Sequence, residues 1–339
     1  MKPTIGITMG DPGGIGPEII AKSLQNTALF DKARFVIYGA NESLTREADT
    51  CNLQIRWDRV DANSTRASKR ISSSIVVLDD TDDELHTLKN TPSKLGGHLS
   101  KSWVESAIKD SLRPQNDPRA IDAVVTAPIC KQSWALAGYK WLGHTELFAS
   151  RMKARRHAMM FVSDKLRVVL ATCHIPLMEI RNVLTIGKVH DAIDLAVEGC
   201  KQLGIENPRI GVTGLNPHAG EGDILGDEES RLIKPAIQLT QNNGHNVEGP
   251  FPADTIFSHP ESFDVIVAMY HDQGLLPIKL LSFGDAVNWT LGLPIIRTSP
   301  DHGTAFDIAN TNSANPNSLL HAIELACSLT TKPLLKSKL

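Results

Sequence analysis

Residues 166–213, LRVVLATCHIPLMEIRNVLTIGKVHDAIDLAVEGCKQLGIENPRIGVT, contain the pattern that decides the fold. The apolar, β-branched run at 166–171 predicts a strand, the pattern of 188–203 predicts a helix, and the short run at 209–213 predicts a second strand. A strand, a helix and a strand at this spacing are typical of a crossover unit, so the two strands are expected to be parallel.

The same alternation continues through most of the chain and predicts an α/β protein with a mostly parallel sheet covered by helices. Residues 45–73 are polar and irregular, and we expect them to form a peripheral excursion. Strands are predicted at 4–9, 34–38, 74–78, 123–126, 158–162, 166–171, 209–213, 265–268 and 294–296. Helices are predicted at 17–24, 99–110, 131–136, 188–203, 228–241 and 317–329.

Length and composition limit the possible functions. The chain has 339 residues, enough for a full core and more than one typical domain. Its 35 basic and 38 acidic side chains form no long block of one sign, so no nucleic-acid partner is predicted. The chain contains no apolar run of about 18 residues and no signal peptide, which predicts no membrane association. Five scattered cysteines suggest neither disulfides nor a thiolate zinc site, so a cytoplasmic protein is expected.

The first predicted strand is followed by the glycine-rich loop GDPGGIGPE at 10–18. Its spacing fits neither a dinucleotide-binding fingerprint nor a P-loop. Two interpretations remain open. The loop and the helix after it could hold an anion, or the glycines could serve a tight turn with positive φ angles.

Three histidines follow three predicted strands: His174, His218 and His271. Ligands gather outside the carboxyl ends of parallel strands, so these side chains can converge in space. Three imidazoles with an open fourth position are typical of a catalytic divalent-metal site. The alternative for each histidine is a capped or hydrogen-bonded surface residue.

Several residues suit an anionic substrate. His144 and Thr145 open a predicted helix, where backbone amides attract phosphate or carboxylate, although Thr145 could equally be an ordinary N-cap. Lys279, Asn288 and Arg297 follow at intervals of nine residues and can bind phosphate by charge and by a planar fork. Arg297 comes directly after the strand predicted at 294–296, so we expect it at the end of a buried strand.

Taken together, these motifs resemble the 4-hydroxythreonine-4-phosphate dehydrogenases of pyridoxal phosphate biosynthesis. The similarity runs in order from residue 4 to about 309. The matching segments are 10–18, 143–146, 172–177 (TCHIPL), 214–222 (GLNPHAGEG), 249–255 (GPFPADT), 268–274 (AMYHDQG) and 288–307.

The resemblance implies roles for individual residues. The substrate would be a small phosphorylated hydroxy acid, and the metal would be zinc, cobalt or magnesium. Asp254 and Asp272 would be acidic residues close to the metal and the substrate. Asp254 would also bind the substrate. The metal ligands would be His174, His218 and His271, and the other substrate-binding residues His144, Thr145, Lys279, Asn288 and Arg297.

The family is also similar in fold and reaction to the isocitrate and isopropylmalate dehydrogenases. There a loop of the form HGSAPDIAG lies against the adenosine of NAD, and this chain has HGTAFDIA at 302–309. The sequence departs from the family pattern at Asn310, where glycine is usual, and at Gly13, where alanine is usual. The resemblance implies that NAD or NADP is bound by His302, Gly303, Thr304, Ala305 and Asp307.

The resemblance also implies an architecture. We expect a two-domain α/β/α fold like that of isocitrate and isopropylmalate dehydrogenases, with the active site in the interdomain cleft. One domain would comprise 1–130 with 275–339 and carry the cofactor loop. The other, 131–274, would carry the metal ligands and the interface of a homodimer, and the metal site would be completed across that interface.

The implied reaction is the oxidation of 4-phosphohydroxy-L-threonine at C3, followed by decarboxylation to 3-amino-2-oxopropyl phosphate. Asp272 and Lys279 are the candidates for the proton-transfer base. D-threonate or D-erythronate 4-phosphate remains an alternative substrate, although those enzymes tend to carry His where Leu276 precedes Pro277. A relative that oxidises cyclic diol carboxylates lacks the phosphate-binding set. A metal-dependent phosphatase and a non-catalytic binding protein are the alternatives from other classes.

Overall fold

The computed structural model describes residues 2–69, 71–81, 85 and 88–331. These residues pack as two compact units, unit 1 with 2–153 and 293–331 and unit 2 with 154–292. The domain boundaries predicted from the sequence differ from these units in two segments: residues 131–153 were predicted in the second domain, and residues 275–292 in the first. Residues 131–153 belong to unit 1 because their two helices pack on the long helix at 94–111. Residues 275–292 belong to unit 2 because they pack on its strands.

Among the described residues, six strands lie in each unit. The strand runs predicted at 34–38, 123–126, 158–162 and 265–268 are confirmed to the residue, because β-branched, aromatic and other apolar residues dominate them. The strands are β1 Thr4–Thr8, β2 Arg34–Tyr38, β3 Asp58–Asp61, β4 Ile75–Asp79, β5 Ala123–Thr126, β6 Ala158–Val162, β7 Arg167–Leu170, β8 Ile210–Thr213, β9 Val247–Phe251, β10 Val265–Ala268, β11 Val287–Leu291 and β12 Ile296–Pro300.

In unit 1 the strand order is β3-β4-β2-β1-β5-β12, and every pairing between neighbours is parallel. In unit 2 the order is β11-β6-β7-β10-β8-β9, and only β6 runs antiparallel to its neighbours. Strands β7, β10 and β8 are therefore adjacent and parallel, and the loops after them leave the same edge of the sheet. Of the histidines predicted as metal ligands, His174 and His218 lie in the loops after β7 and β8, and His271 begins α11 directly after the loop that follows β10.

Helices cover these strands. Helix α8 illustrates why the sequence forms them: the Thr185 side chain accepts a hydrogen bond from the Lys188 amide at the N-terminus, and Gly204 ends the helix at φ 94°. The helices are α1 Gly16–Leu24, α2 Leu29–Lys32, α3 Asn41–Thr50, α4 Lys94–Ser111, α5 Lys131–Leu136, α6 His144–Arg151, α7 Ile180–Val183, α8 Ile186–Leu203, α9 Lys234–Asn242, α10 Ala253–Ile256, α11 His271–Ser282 and α12 Asn317–Thr330.

Several elements differ from the expectations, and strands β9 and β11 were not predicted. Residues 45–73, expected to be irregular, contain the end of α3 and the edge strand β3, whose one buried residue is Val60. No helix was predicted at 271–282, because Gly274 and Pro277 oppose one, yet α11 forms there. The strand predicted at 294–296 overlaps β12 only at Ile296, because β12 runs from Ile296 to Pro300.

The cores of the two units are apolar. In unit 1, Ile5 and Ile7 on β1 are fully buried. In unit 2, Val168 on β7, Ile266 on β10 and Ile278 on α11 form part of one buried cluster. No helix in the described ranges is long and apolar enough to cross a membrane.

Candidate active site

The first candidate site surrounds Arg297 in unit 1. Arg297 is the second residue of β12, not the residue after a strand as predicted, because β12 begins at Ile296 and continues past it. Its burial was predicted correctly, since the residue is only 2% exposed. Nη2 donates a hydrogen bond of 2.6 Å to Oγ1 of Thr126, the last residue of β5, and the guanidinium lies 5.8 Å from the Phe148 ring.

Burial raises the free energy of the charged form of Arg297, because the guanidinium loses contact with water. It lowers the pKa of the guanidinium to about 10, and the carboxylate of Glu146 acts in the opposite direction. The side chain is still a cation at neutral pH. A buried cation of this kind is favourable where an anion binds beside it.

His144 begins α6 and lies in the same region. The residue is half-buried, but Nε2 is closed off from water and has no hydrogen-bond partner among the described residues. The ring packs edge-on against Trp134 at 5.8 Å. Burial, and to a smaller extent Arg297, lowers the pKa of the imidazole well below 6.5, so the ring is neutral at physiological pH.

Unit 1 therefore brings together three of the predicted substrate residues. Thr145 is 3% exposed in the first turn of α6, whose N-terminal amides favour negative charge. With neutral His144 and charged Arg297, it forms a set suited to a phosphate or carboxylate. Thr126 was missed in the sequence, where the only signal is a polar residue ending an apolar strand.

The other two predicted substrate residues, Lys279 and Asn288, belong to unit 2. Lys279 is half-buried on α11, with Nζ 5.9 Å from the centre of the Phe283 ring. Asn288 lies on β11, where Oδ1 is buried with no hydrogen-bond partner in the described ranges, and Nδ2 lies 3.8 Å from Met159 Sδ. A buried amide oxygen without a partner has an unused acceptor.

Two of the three predicted metal ligands lie close together. The rings of His174 and His271 are 5.9 Å apart, and His218 lies in a turn after β8. Nδ1 of His271 forms a hydrogen bond of 2.7 Å with Asp272, which leaves Nε2 for another partner. Within the described ranges no group of three His, Cys, Asp or Glu side chains is arranged to hold a metal ion.

The backbone at two of these histidines is strained. His174 has φ 47° and His218 has φ 51°, and Ala219 beside it has φ 52°. Residues other than glycine adopt this left-handed region at a cost, and such residues cluster at functional sites. The imidazole side chains and the strained backbone both fit a metal site here. Within the described residues, however, His218 does not form one group with His174 and His271.

The two acidic residues implied by the resemblance are exposed. Asp254 lies in the first turn of α10, and Asp272 is the second residue of α11. Asp272 is in direct contact with a predicted metal ligand, His271.

The loop predicted to bind the dinucleotide lies in unit 1 against the first glycine-rich loop. The Ile15 amide donates a hydrogen bond of 2.9 Å to the Thr304 carbonyl. A Cβ atom at Gly14 would lie 2.7 Å from that oxygen, so only glycine allows this approach. Of the glycines at 10, 13, 14 and 16, only Gly10 has a positive φ. The loop therefore serves close packing more than a turn with positive φ.

The remaining predicted cofactor residues continue this loop. Nδ1 of His302 lies 3.1 Å from the Gly303 carbonyl, Ala305 has φ 42°, and Asp307 is exposed. Asn310, where glycine is usual, has φ 64°, so the backbone keeps the left-handed shape that glycine favours.

A pair of asparagines holds the end of the loop. Nδ2 of Asn310 donates 2.8 Å to Oδ1 of Asn90, and Nδ2 of Asn90 donates 3.0 Å to the Ala309 carbonyl. Asparagine tolerates the left-handed region better than most residues. Asparagine at position 310 therefore fits the left-handed backbone that this loop has.

Comparison with known proteins identifies the family. The profile described as "Pyridoxal phosphate biosynthetic protein PdxA" matches residues 31–326. The chain belongs to the PdxA family. A 4-hydroxythreonine-4-phosphate dehydrogenase of Desulfosudis oleivorans is 42% identical over 329 residues, covering 96% of this chain and 95% of the relative. A D-threonate 4-phosphate dehydrogenase of Salmonella typhimurium is 41% identical over 333 residues, with coverage of 96% and 98%.

Solved structures agree with this family assignment. A crystal structure of 4-hydroxythreonine-4-phosphate dehydrogenase from Klebsiella pneumoniae has a TM-score of 0.83 at 38% identity, covering 98% of this chain and 99% of the other. Isocitrate dehydrogenase from Methylococcus capsulatus has a TM-score of 0.50 at 12% identity, covering 98% and 88%, which shows a shared fold alone. The predicted α/β fold class with mostly parallel sheets is confirmed, and the family is one of dehydrogenases.

Proposed function

We propose that this PdxA-family chain is an NAD(P)-dependent and divalent-metal-dependent dehydrogenase. It oxidises 4-phosphohydroxy-L-threonine at C3, and decarboxylation then gives 3-amino-2-oxopropyl phosphate. The observation that carries the proposal is the buried cation Arg297 beside neutral His144 and the N-terminus of α6. A phosphate there would be held by charge, by the guanidinium fork and by backbone amides.

The phosphate-binding residues would orient the reacting carbon. A bound phosphate gives binding energy at a distance from C3, and this energy fixes the substrate in one pose. Asn288 would use its unpartnered Oδ1 to accept a hydrogen bond from the substrate. Lys279 and Asp254 complete the proposed substrate set, and Lys279 or Asp272 would take up the proton.

The metal and the dinucleotide would be bound by different residues. Zinc, cobalt or magnesium held by His174, His218 and His271 would lower the pKa of the C3 hydroxyl. NAD or NADP would accept the hydride, bound by His302, Gly303, Thr304, Ala305 and Asp307. Asp272 would fix the His271 ring so that Nε2 faces the metal.

A homodimer is part of the proposal, because the predicted ligands lie on a surface with apolar side chains. Leu276 and Leu280 lie on one side of α11 and are 62% and 83% exposed, and Phe283, directly after the helix, is 81% exposed. Met178, four residues after His174, is 83% exposed. Such a patch in a protein domain marks an interaction surface, and the occupant proposed here is a second copy of the chain. Contact between copies would let histidines of both complete one metal site.

D-threonate 4-phosphate is the second candidate substrate, favoured by relatives of that name at 40–41% identity. Both substrates carry the phosphate that the Arg297 region would bind, so this region does not separate them. We also propose a cytoplasmic location, because all five cysteines are free thiols.

The role of Arg297 is tested by R297M. Loss of a charge-assisted hydrogen bond of roughly 1.5–3 kcal/mol should raise KM for the phosphorylated substrate about tenfold or more, with a smaller change in kcat. R46M removes an exposed guanidinium from the same unit and should leave KM unchanged. Equal KM values for R297M and the wild type would remove Arg297 from the substrate site.

A further inference from the structure

The three histidine loops of unit 2 are joined by a buried hydrogen-bond network. They follow β7, β10 and β8, which are neighbours in the sheet. Their relative position is therefore set where these strands end. Two buried side chains, Thr172 and Gln273, connect the three ends.

The first link joins the His174 loop to the His271 loop. Thr172, two residues before His174, donates to the Met269 carbonyl twice, from its amide at 3.1 Å and from Oγ1 at 2.7 Å. Thr172 is 3% exposed and Met269 is fully buried, so water does not compete for these bonds.

The second link joins the His271 loop to the His218 loop through Gln273. Oε1 of Gln273 accepts hydrogen bonds from the Met269 amide and from Oγ1 of Thr213, both at 2.7 Å. Nε2 donates 2.8 Å to the Gly214 carbonyl. Gln273 is 9% exposed, and it uses both ends of its amide to hold two strand ends.

The His218 loop is also held from its other side. Oε1 of Glu229 accepts hydrogen bonds from the amides of Leu215 and Asn216, at 2.7 and 2.8 Å. Glu229 is 1% exposed. The segment that leads from Gly214 to His218 is therefore fixed by Gln273 at one end and by Glu229 in its middle.

We infer that Gln273 is a positioning residue for the metal site, acting through Thr213 and Met269 on the backbone segments that carry His174, His218 and His271. The inference rests on the proposed metal site. Leu275 and Ile278, which follow Gln273 on α11, belong to the apolar core. An apolar side chain at position 273 would pack there as well. The three short hydrogen bonds of the Gln273 amide fix the positions of these segments. Residues that orient metal ligands in this way determine how tightly the metal binds.

The test measures Co²⁺ binding to the purified full-length chain by competition with a chelator, together with the visible spectrum of the bound ion. Q273M removes all three side-chain bonds and should weaken Co²⁺ binding by roughly 10–100-fold. T213V keeps the shape of threonine and removes one bond, so it should weaken binding by about tenfold. T213S restores the hydroxyl and should return affinity to near the wild-type value.

The matched control is T240V. Thr240 is also fully buried in unit 2, but its hydroxyl bonds within α9 to the Ala236 carbonyl at 3.3 Å. T240V should therefore keep the wild-type Co²⁺ affinity and spectrum, even if its thermal stability falls as much as that of T213V. H218A serves as the reference for loss of a ligand.

The outcomes separate this inference from the proposed function. One result supports both the metal site and the positioning role of Gln273. In it, the wild type binds Co²⁺, H218A does not, and Q273M and T213V bind it more weakly with an altered spectrum. Wild-type affinity in folded T213V and Q273M overturns the role of Gln273 and leaves the metal site standing. A wild-type protein that binds no Co²⁺ would overturn the metal site and the inference together.

Discussion

At the scale of single residues, two of the ionisable side chains that unit 1 buries, Arg297 and Asp11, respond to burial in different ways. Arg297 remains a cation with a pKa of about 10, because a guanidinium is hard to deprotonate. Asp11 is 1% exposed, and burial raises its pKa, while hydrogen bonds from the Ser133 hydroxyl and the Gly13 amide act against the rise. The pKa of the Arg297 guanidinium lies well above neutral pH, which suits this side chain to hold an anion.

Asp11 gives a prediction about stability and pH. Its folded pKa lies above the unfolded value of 3.8, so the stability that it contributes is present below that value and is lost as pH rises through the folded pKa. Oδ2 is buried without a hydrogen-bond partner in the described part of the chain, so the amide of D11N fits there without losing a bond. D11N should have a larger free energy of unfolding than the wild type at neutral pH, and this advantage should shrink in acid.

The measurement is urea unfolding of both proteins across a pH series. E18Q is the control, since Glu18 is equally buried but paired with Lys22 at 2.7 Å. E18Q should lose stability at neutral pH, because the lysine is left unpaired. A D11N protein that is less stable than the wild type at neutral pH would show that the ionised carboxylate is needed.

Some site residues could be predicted from the sequence and others could not. Arg297 was expected to be buried because it adjoins an apolar run, and this is confirmed. Thr126 and Gln273 were missed, because each works through a partner distant in the chain: Arg297 for Thr126, and Thr213 for Gln273. A sequence pattern shows no such pairing.

At the scale of elements, local propensity explains both successes and failures. The strands at 34–38 and 123–126 were predicted to the residue because most of their residues are apolar and buried. Helix α11 was missed because it contains Gly274 and Pro277. Burial of Leu275 and Ile278 against the core of unit 2 outweighs the poor helix propensity of these two residues. Edge strand β3 buries a single side chain and so carries too weak a pattern to be predicted.

The proposed cofactor loop gives a prediction at this scale. N310A would force alanine into φ 64° and remove the bond to Asn90, so it should cost about 1–2 kcal/mol of stability and raise KM for the dinucleotide. N310G keeps the backbone shape and loses only the bond, so its effect on KM should be smaller. Kinetics at varied NAD concentration and urea unfolding are the measurements.

Asn312 offers the matched control, because it also has a left-handed backbone, at φ 58°. N312A should cost a similar amount of stability and leave KM for the dinucleotide unchanged. A rise in KM that is equal in N310A and N312A would mean that general loosening, and not the contact between Asn310 and Asn90, is responsible.

At the scale of the whole molecule, the exposed apolar side of α11 predicts self-association. L280D places a charge at an 83%-exposed leucine within the proposed interface, so it should convert a dimer into a monomer in sedimentation velocity experiments. The control is L239D on α9 of the same unit, where the leucine is 48% exposed, and this variant should stay dimeric. A wild-type chain that sediments as a monomer at micromolar concentration would contradict the dimer.

The proposed reaction of this PdxA-family chain is the oxidation of 4-phosphohydroxy-L-threonine with a nicotinamide dinucleotide. The most direct measurement follows the NADH absorbance band with the metal-loaded protein, offering 4-phosphohydroxy-L-threonine and D-threonate 4-phosphate separately and measuring released phosphate in parallel. We predict NADH formation with the higher kcat/KM for 4-phosphohydroxy-L-threonine, and no release of phosphate. A higher kcat/KM for D-threonate 4-phosphate would contradict the proposed substrate, and phosphate release without NADH would contradict the dehydrogenase reaction itself.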